Sequence, residues 1–164
     1  MKIPNERSLY APVRRWLEGC LSQRFRRSRV RAYDTSRTKV SNLIAQQGLQ
    51  AHYPQSAVWD IQADITALII GKQSHVAFVE CKLKRITLRD VGQLLGYSRV
   101  AKPVASMLLS PEPPTDALRT LLTVYGRYDI LEYDDEGRRI MIARWDPRRS
   151  AVLHGETLPP GDHI

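Results

Sequence analysis

Leu9, Val13, Trp16, Leu17, Cys20, Leu21 and Phe25 recur at helical spacing and predict a first helix over about residues 5–25. Pro12 lies inside this run, so the helix is either kinked there or begins in earnest near it. From Arg29 to Asp34 the pattern changes to period two, with Val30 and Ala32 between Arg29, Arg31 and Tyr33, which predicts a short strand. Residues 37–47 read as a short helix stopped by Gly48. Ala57 to Ile70 and His75 to Lys84 read as two strands joined at Gly71-Lys72-Gln73-Ser74, a plausible hairpin turn.

Thr87-Leu88-Arg89-Asp90 has the form of a capping box and predicts a helix that runs to about Ala101 and is closed by Pro103. Val104 to Leu109 is an apolar strand, and Ser110-Pro111-Glu112-Pro113-Pro114 is a loop. Thr115 is placed to cap a helix carrying Leu118, Leu121, Leu122 and Tyr125. Strands at about 128–133 and 138–145 flank Asp134-Asp135-Glu136-Gly137, a strong hairpin signal. Periodicity stops after Trp145. The expected organisation is one domain over residues 1–146 and an extended or disordered tail over 147–164. This order of elements fits an α/β fold, a mixed sheet with helices on its faces.

The composition changes this picture little. Apolar residues make up 43% and charged residues 26%, an ordinary globular balance. No apolar stretch approaches the roughly 20 residues that span a bilayer. The first residues lack the pattern of a secretion signal. Cys20 and Cys81 are too few for a disulfide framework and too isolated for a zinc site. Together these predict a cytoplasmic location without a membrane partner.

The charge adds more. The formal net charge is +8, and residues 1–40 carry all of that excess, since the remaining positions balance. Arg24, Arg26, Arg27, Arg29 and Arg31 are its densest part and form a candidate nucleic-acid-binding segment, because each neutralised phosphate releases condensed counterions. The plainer reading of the same segment is a solvated helix end and loop.

The candidate chemistry lies on the central hairpin. Glu80 and Lys82 are two apart on a strand and project to one face. A turn centred on Lys72 brings Asp64 opposite Glu80, where facing Cβ atoms lie about 4.5–5.5 Å apart. Two carboxylates so close repel unless a cation sits between them, and a hard divalent ion with oxygen ligands suits the place. Asp60 is a rival ligand on the same strand face, or else the partner of Lys84 in a cross-strand ion pair. Cys81 points to the other face and reads as core.

Ala63-Asp64-Ile65-Thr66-Ala67, followed after a gap by Glu80-Cys81-Lys82, resembles the P-D-(D/E)-x-K signature of a nuclease superfamily, with alanine replacing the proline. That superfamily includes restriction endonucleases, archaeal Holliday-junction resolvases and RecB-type nucleases. Gln93-Leu94-Leu95-Gly96-Tyr97 resembles the Q-x-x-x-Y motif of RecB-type and lambda-exonuclease-type members, and Gln93 and Tyr97 share one helix face. Glu6 sits where many members carry a further acidic residue. The resemblance covers about residues 5–110. It implies a restriction-endonuclease-like fold and a Mg²⁺- or Mn²⁺-dependent phosphodiesterase acting on nucleic acid, in particular DNA, in repair, recombination or defence.

By that resemblance, Asp64, Glu80 and the backbone carbonyl of Cys81 hold the metal, Lys82 orients or activates the attacking water, and Glu6 completes the metal shell. Gln93 and Tyr97 position the lysine, the water or a phosphate. Each residue has a plainer role. Glu6 is also a first-turn acid favoured by the helix dipole. Lys82 is also a partner for Glu80 or Asp64 at a sheet edge. Gln93 and Tyr97 also read as an exposed amide and a half-buried ring. A symmetric homodimer would suit the cutting of two strands. Two other readings are a non-catalytic nucleic-acid-binding module of the same fold and a protein–protein subunit of a larger complex.

Overall fold

The computed structural model describes residues 5–161. Its elements run α1 (Arg7–Arg24), β1 (Arg29–Asp34), α2 (Val40–Gln46), β2 (Ile65–Ile70), β3 (His75–Cys81), α3 (Leu88–Ala101), β4 (Ala105–Ser110), α4 (Asp116–Thr123), β5 (Met141–Asp146) and β6 (Ala151–Leu158). The strands form one six-stranded sheet in sequence order. β1–β2, β2–β3 and β5–β6 pair antiparallel, whereas β3–β4 and β4–β5 pair parallel through the crossover helices α3 and α4. This is an α/β mixed sheet flanked by helices, compatible with a restriction-endonuclease-like fold.

Helix α1 forms because its apolar positions make a continuous stripe. Leu9, Tyr10, Val13, Leu17 and Leu21 are buried while Arg14 and Arg15 remain in solvent. The helix runs through Pro12 and forgoes the hydrogen bond that this residue cannot donate. α1 covers one face of the sheet, over Ile65, Ile69, Val79, Met107 and Leu109. On the other face Leu43, Ile44, Leu94, Leu118 and Leu122 of α2, α3 and α4 meet Leu68, Phe78 and Leu108. Both faces of β2, β3 and β4 are therefore covered. Their nearly unbroken burial follows from that, rather than the alternation of a half-wet sheet.

The helix ends follow the expected chemistry. Thr87 accepts from the Asp90 amide, and Asp90 accepts from the Thr87 amide at 2.8 Å, completing the capping box of α3. The Thr115 hydroxyl caps α4. Gly48 adopts φ +68° just past α2, a conformation that suits its lack of a Cβ.

Three expectations are corrected. Most of the 57–70 segment is not strand. Residues 56–58 form a 3₁₀ turn and pairing begins only at Ile65. The expected strand at 128–133 is a 3₁₀ turn over Tyr128–Leu131, followed by a single bridge between Glu132 and Arg139. Here Leu131 and Tyr133 need to reach the core, and a turn delivers them without a ladder. The expected tail, finally, contains β6, which pairs with β5 as the edge of the sheet. A tight turn makes this possible: the Asp146 carboxylate accepts the amides of Arg148 and Arg149, and Ser150 takes φ +49°. The last residues of the expected tail, 162–164, lie outside the described residues.

Candidate active site

The register of the central hairpin is the one expected. Ile65 faces Val79, Thr66 faces Phe78 and Ala67 faces Ala77. Continued by one step, it sets Asp64 opposite Glu80 at the end of the sheet where β2 begins and β3 ends. The Asp64 backbone is fixed from β1: its carbonyl accepts the Thr35 amide at 2.9 Å. The buried Thr35 hydroxyl donates to the Ala63 carbonyl at 2.6 Å and lies 2.9 Å from the Thr66 hydroxyl. On the other side, the Lys82 amide donates to Leu109 O at 2.8 Å, and the Ser110 hydroxyl donates to Lys84 O at 3.0 Å. Neighbouring strands thus hold both halves of the motif before any side chain is counted.

The side chains converge on one point. One Asp64 carboxylate oxygen accepts the Cys81 amide at 2.8 Å, and the other accepts the Tyr10 hydroxyl at 2.7 Å. Within an extended strand the N–H and C=O of one residue point to the same side. The Cys81 carbonyl therefore faces the Asp64 side too. The Lys82 ammonium lies 3.4 Å from Glu80 Oε2. Glu80 is only 4% exposed, and its Oε1 is buried with no hydrogen-bond partner among the described residues. An ionised oxygen in that condition is costly, so without a cation the carboxyl favours its protonated form, which can share a hydrogen bond with Asp64.

Electrostatics describe the same cluster. Burial, followed by the charge of Asp64, pushes the Glu80 carboxyl up to about 8, against the opposing pull of Lys82. Burial lowers the proton affinity of Lys82, but the charges of Glu80, Glu6, Asp64 and Asp90 outweigh it, and the net shift is upward. Lys82 is therefore an ammonium at neutral pH. Glu6 is raised by burial and by Asp64 and Asp90, and lowered by Lys82 and by a hydrogen bond from the Leu83 amide. Glu6 makes no capping hydrogen bond to its own helix. Its carboxyl feels the charges of Lys82, Asp64 and Asp90. Burial, the hydrogen bond to Asp64 and the nearby carboxylates hold Tyr10 far above the ordinary phenol range, so it remains a donor.

The expected residues divide into three groups. Asp64, the Cys81 backbone, Glu80 and Lys82 come together, Glu6 lies within electrostatic reach of them, and the Cys81 thiol is buried in the α1-side core as anticipated. Asp60 does not join them. It is exposed and pairs with Lys39 at 2.9 Å rather than with Lys84, because its segment has left the sheet. Gln93 is exposed and Tyr97 half-buried against the α3-side core; neither hydrogen-bonds to a site residue among the described residues. Arg24, Arg26, Arg27 and Arg29 are exposed but sit at the opposite end of the sheet, where α1 ends and β1 begins, and the exposed Arg31 faces Leu68 in the middle of the β1–β2 ladder. From Tyr10 to Arg24 the rise of α1 alone is about 21 Å.

Tyr10 was missed by sequence reasoning. The available signal was its position four residues after Glu6, which puts both on one face of α1. Replacing Tyr10 with Phe is expected to lower metal-free stability by about 1.5–3 kcal/mol, the usual worth of a hydrogen bond to a charged group. Urea denaturation checks this, and a double-mutant cycle with Asp64→Asn should show that the two losses are not additive.

Two carboxylates with a strand carbonyl beside them are hard oxygen donors, a set that suits a hard cation once Glu80 gives up its proton. Among the described residues no three His, Cys, Asp or Glu side chains form a ready-made metal cluster, so the backbone donor and solvent would have to complete the shell. Mg²⁺, which usually retains several waters, tolerates such a partial set. Compared with family models, curated proteins and solved structures, the chain matches none.

Proposed function

We propose that this chain is a metal-dependent nuclease that hydrolyses phosphodiester bonds of nucleic acid, with DNA as the expected substrate. The observation that carries the reading is the meeting of Asp64, Glu80 and Lys82, with a buried Glu80 Oε1 that finds no hydrogen-bond partner among the described residues. Asp64, Glu80 and the Cys81 carbonyl would hold Mg²⁺ or Mn²⁺, with Glu6 at its margin. When bound, such an ion polarises a phosphate oxygen and acidifies a coordinated water.

Hydrolysis forms a bond from a water oxygen to phosphorus and breaks one phosphorus–ester bond. Negative charge builds on the phosphoryl oxygens as it proceeds. The Lys82 ammonium is a fixed cation beside that charge. Already protonated, it donates to the water or the phosphate and does not take the water's proton; that proton passes to a carboxylate or to solvent. Tyr10 and the Cys81 amide keep the Asp64 carboxylate in one orientation, which spares the site a reorganisation during the reaction.

A panel of linear, circular, branched and single-stranded substrates, each with Mg²⁺, Mn²⁺ or EDTA, tests the reading. Cutting that requires the metal is the expected result. Failure to cut any substrate with either ion, or cutting that EDTA does not stop, would overturn it. The non-catalytic nucleic-acid-binding alternative is favoured by one observation, the distance between the arginine cluster and the carboxylates. It predicts salt-sensitive binding on the same panel without hydrolysis.

A further inference from the structure

At the end of the sheet opposite the carboxylates, a cleft of about 330 Å³ opens between the end of α1 and the starts of β4 and β5. Arg24, Arg138 and Arg139 line it, together with Ser106 and Tyr133. Two separate parts of the chain supply these arginines, the last turn of α1 and the segment after the 134–137 turn. A single cation at the end of α1 would be explained by the helix dipole. Guanidinium groups converging on one cleft from distant segments need a further reason.

Arg138 is held in place. It donates through Nε to Asp134 and through Nη1 to Pro103 O at 3.2 Å, its Nη2 lies 3.6 Å from Glu136 Oε2, and its side chain remains 27% exposed. Asp134 is already occupied by that guanidinium and by the amides of Glu136 and Arg138, so it is a brace for Arg138 more than a charge facing the cleft. Arg24 lies over the Phe25 ring, 5.3 Å from its centre, and meets no carboxylate among the described residues. Behind them, His75 is lowered first by burial and then by the charges of Arg138 and Arg24. Arg26, Arg27 and Arg29 continue the exposed basic surface from the cleft mouth along the α1–β1 turn.

We propose that this cleft is a second nucleic-acid contact, which takes a backbone phosphate about 20 Å from the carboxylate site and anchors the strand while the distant end is presented for cleavage. Arg24 would supply the charge-assisted donors, while Arg138, held by Asp134, Pro103 O and Glu136, shapes the cleft wall. The proposal rests on nucleic acid being the partner, but not on the chain cutting it.

The test uses the full chain in EDTA with a DNA duplex of about 20 base pairs, long enough to reach both ends of the sheet. Affinity is read by fluorescence anisotropy over a salt series. Arg24→Glu is expected to weaken binding about tenfold or more and to reduce the salt slope by about one. Arg24→Lys should restore most of the affinity. Arg14→Glu, the same charge reversal on an exposed position of the same helix, should change it less than about twofold. Equal weakening by both reversals would show a diffuse charge effect and overturn the proposal. So would duplex affinity that ignores Arg24, including the case in which the cleft takes only inorganic phosphate. Because binding is read without metal, loss of binding in Arg24→Glu and loss of cleavage in Asp64→Ala are separate results. A protein that binds through the cleft yet cuts nothing sinks the nuclease reading alone.

Discussion

Replacing Lys82 with alanine is expected to lower metal-dependent cleavage by about 10²–10³-fold while leaving Mn²⁺ binding in place. The ammonium sits 3.4 Å from Glu80 Oε2 and is surrounded electrostatically by Glu80, Glu6, Asp64 and Asp90. In the free protein its charge offsets theirs. A divalent ion on the carboxylates would take over that duty, which under the proposed function would leave the Lys82 charge for the phosphate. Its removal should therefore damage the transition state more than the resting site. Cleavage rates at saturating substrate, paired with calorimetric Mn²⁺ titration, separate the two effects. Lys82→Arg keeps the charge on a planar group of different shape and should recover only part of the rate. A variant that cuts at the normal rate would remove Lys82 from the chemistry. One that loses Mn²⁺ binding along with cleavage would make Lys82 a structural partner of the carboxylates.

The sequence exposed the centre of this arrangement because its signals were local. Period-two spacing placed Glu80 and Lys82 on one face, and a four-residue turn fixed the register that brings Asp64 opposite Glu80. The capping box of α3 was legible for the same reason, since Thr87 and Asp90 interact across a single turn. Contacts between distant parts of the chain were not legible. The spacing of Tyr10 from Glu6 marks a helix face, but it does not say that the hydroxyl meets Asp64, 54 positions later. Nothing near Thr35 announces that it braces Ala63 and Thr66. The arginine cluster reads as a nucleic-acid-binding segment or as a solvated helix end, and composition carries no direction that would place it. Only the path of α1 shows that the cluster and the carboxylates occupy opposite ends. β6 was hidden because an edge strand with His154, Gly155 and Glu156 in solvent lacks the apolar alternation that identifies a strand.

The same burial that shapes the site makes it a liability without metal, and Glu80→Gln measures how large a one. Glu80 is raised from 4.5 to about 8 in the folded chain, mainly by burial and then by Asp64. Between those two values the folded state binds more protons than the unfolded state, so this group's contribution is complete below pH about 4.5 and is lost as pH rises through about 8. The carboxylate pair titrates together, and the loss is on the order of 4 kcal/mol. In EDTA, wild-type protein is therefore expected to be less stable at pH 9 than at pH 5.5, as judged by urea denaturation. Glu80→Gln cannot ionise. It should be close to wild type at the lower pH and more stable by on the order of 2–4 kcal/mol at the higher one, after allowing for the amide hydrogen bonds left unmade. His75, lowered by burial, shifts stability in the opposite direction near neutral pH, but it is common to both proteins and cancels in their difference. Mn²⁺ at high pH should restore the wild type and leave the glutamine variant nearly unaffected, because an ion stabilises only the fold that binds it. If both proteins respond alike to pH and to Mn²⁺, the buried Glu80 oxygen is not a place prepared for a cation.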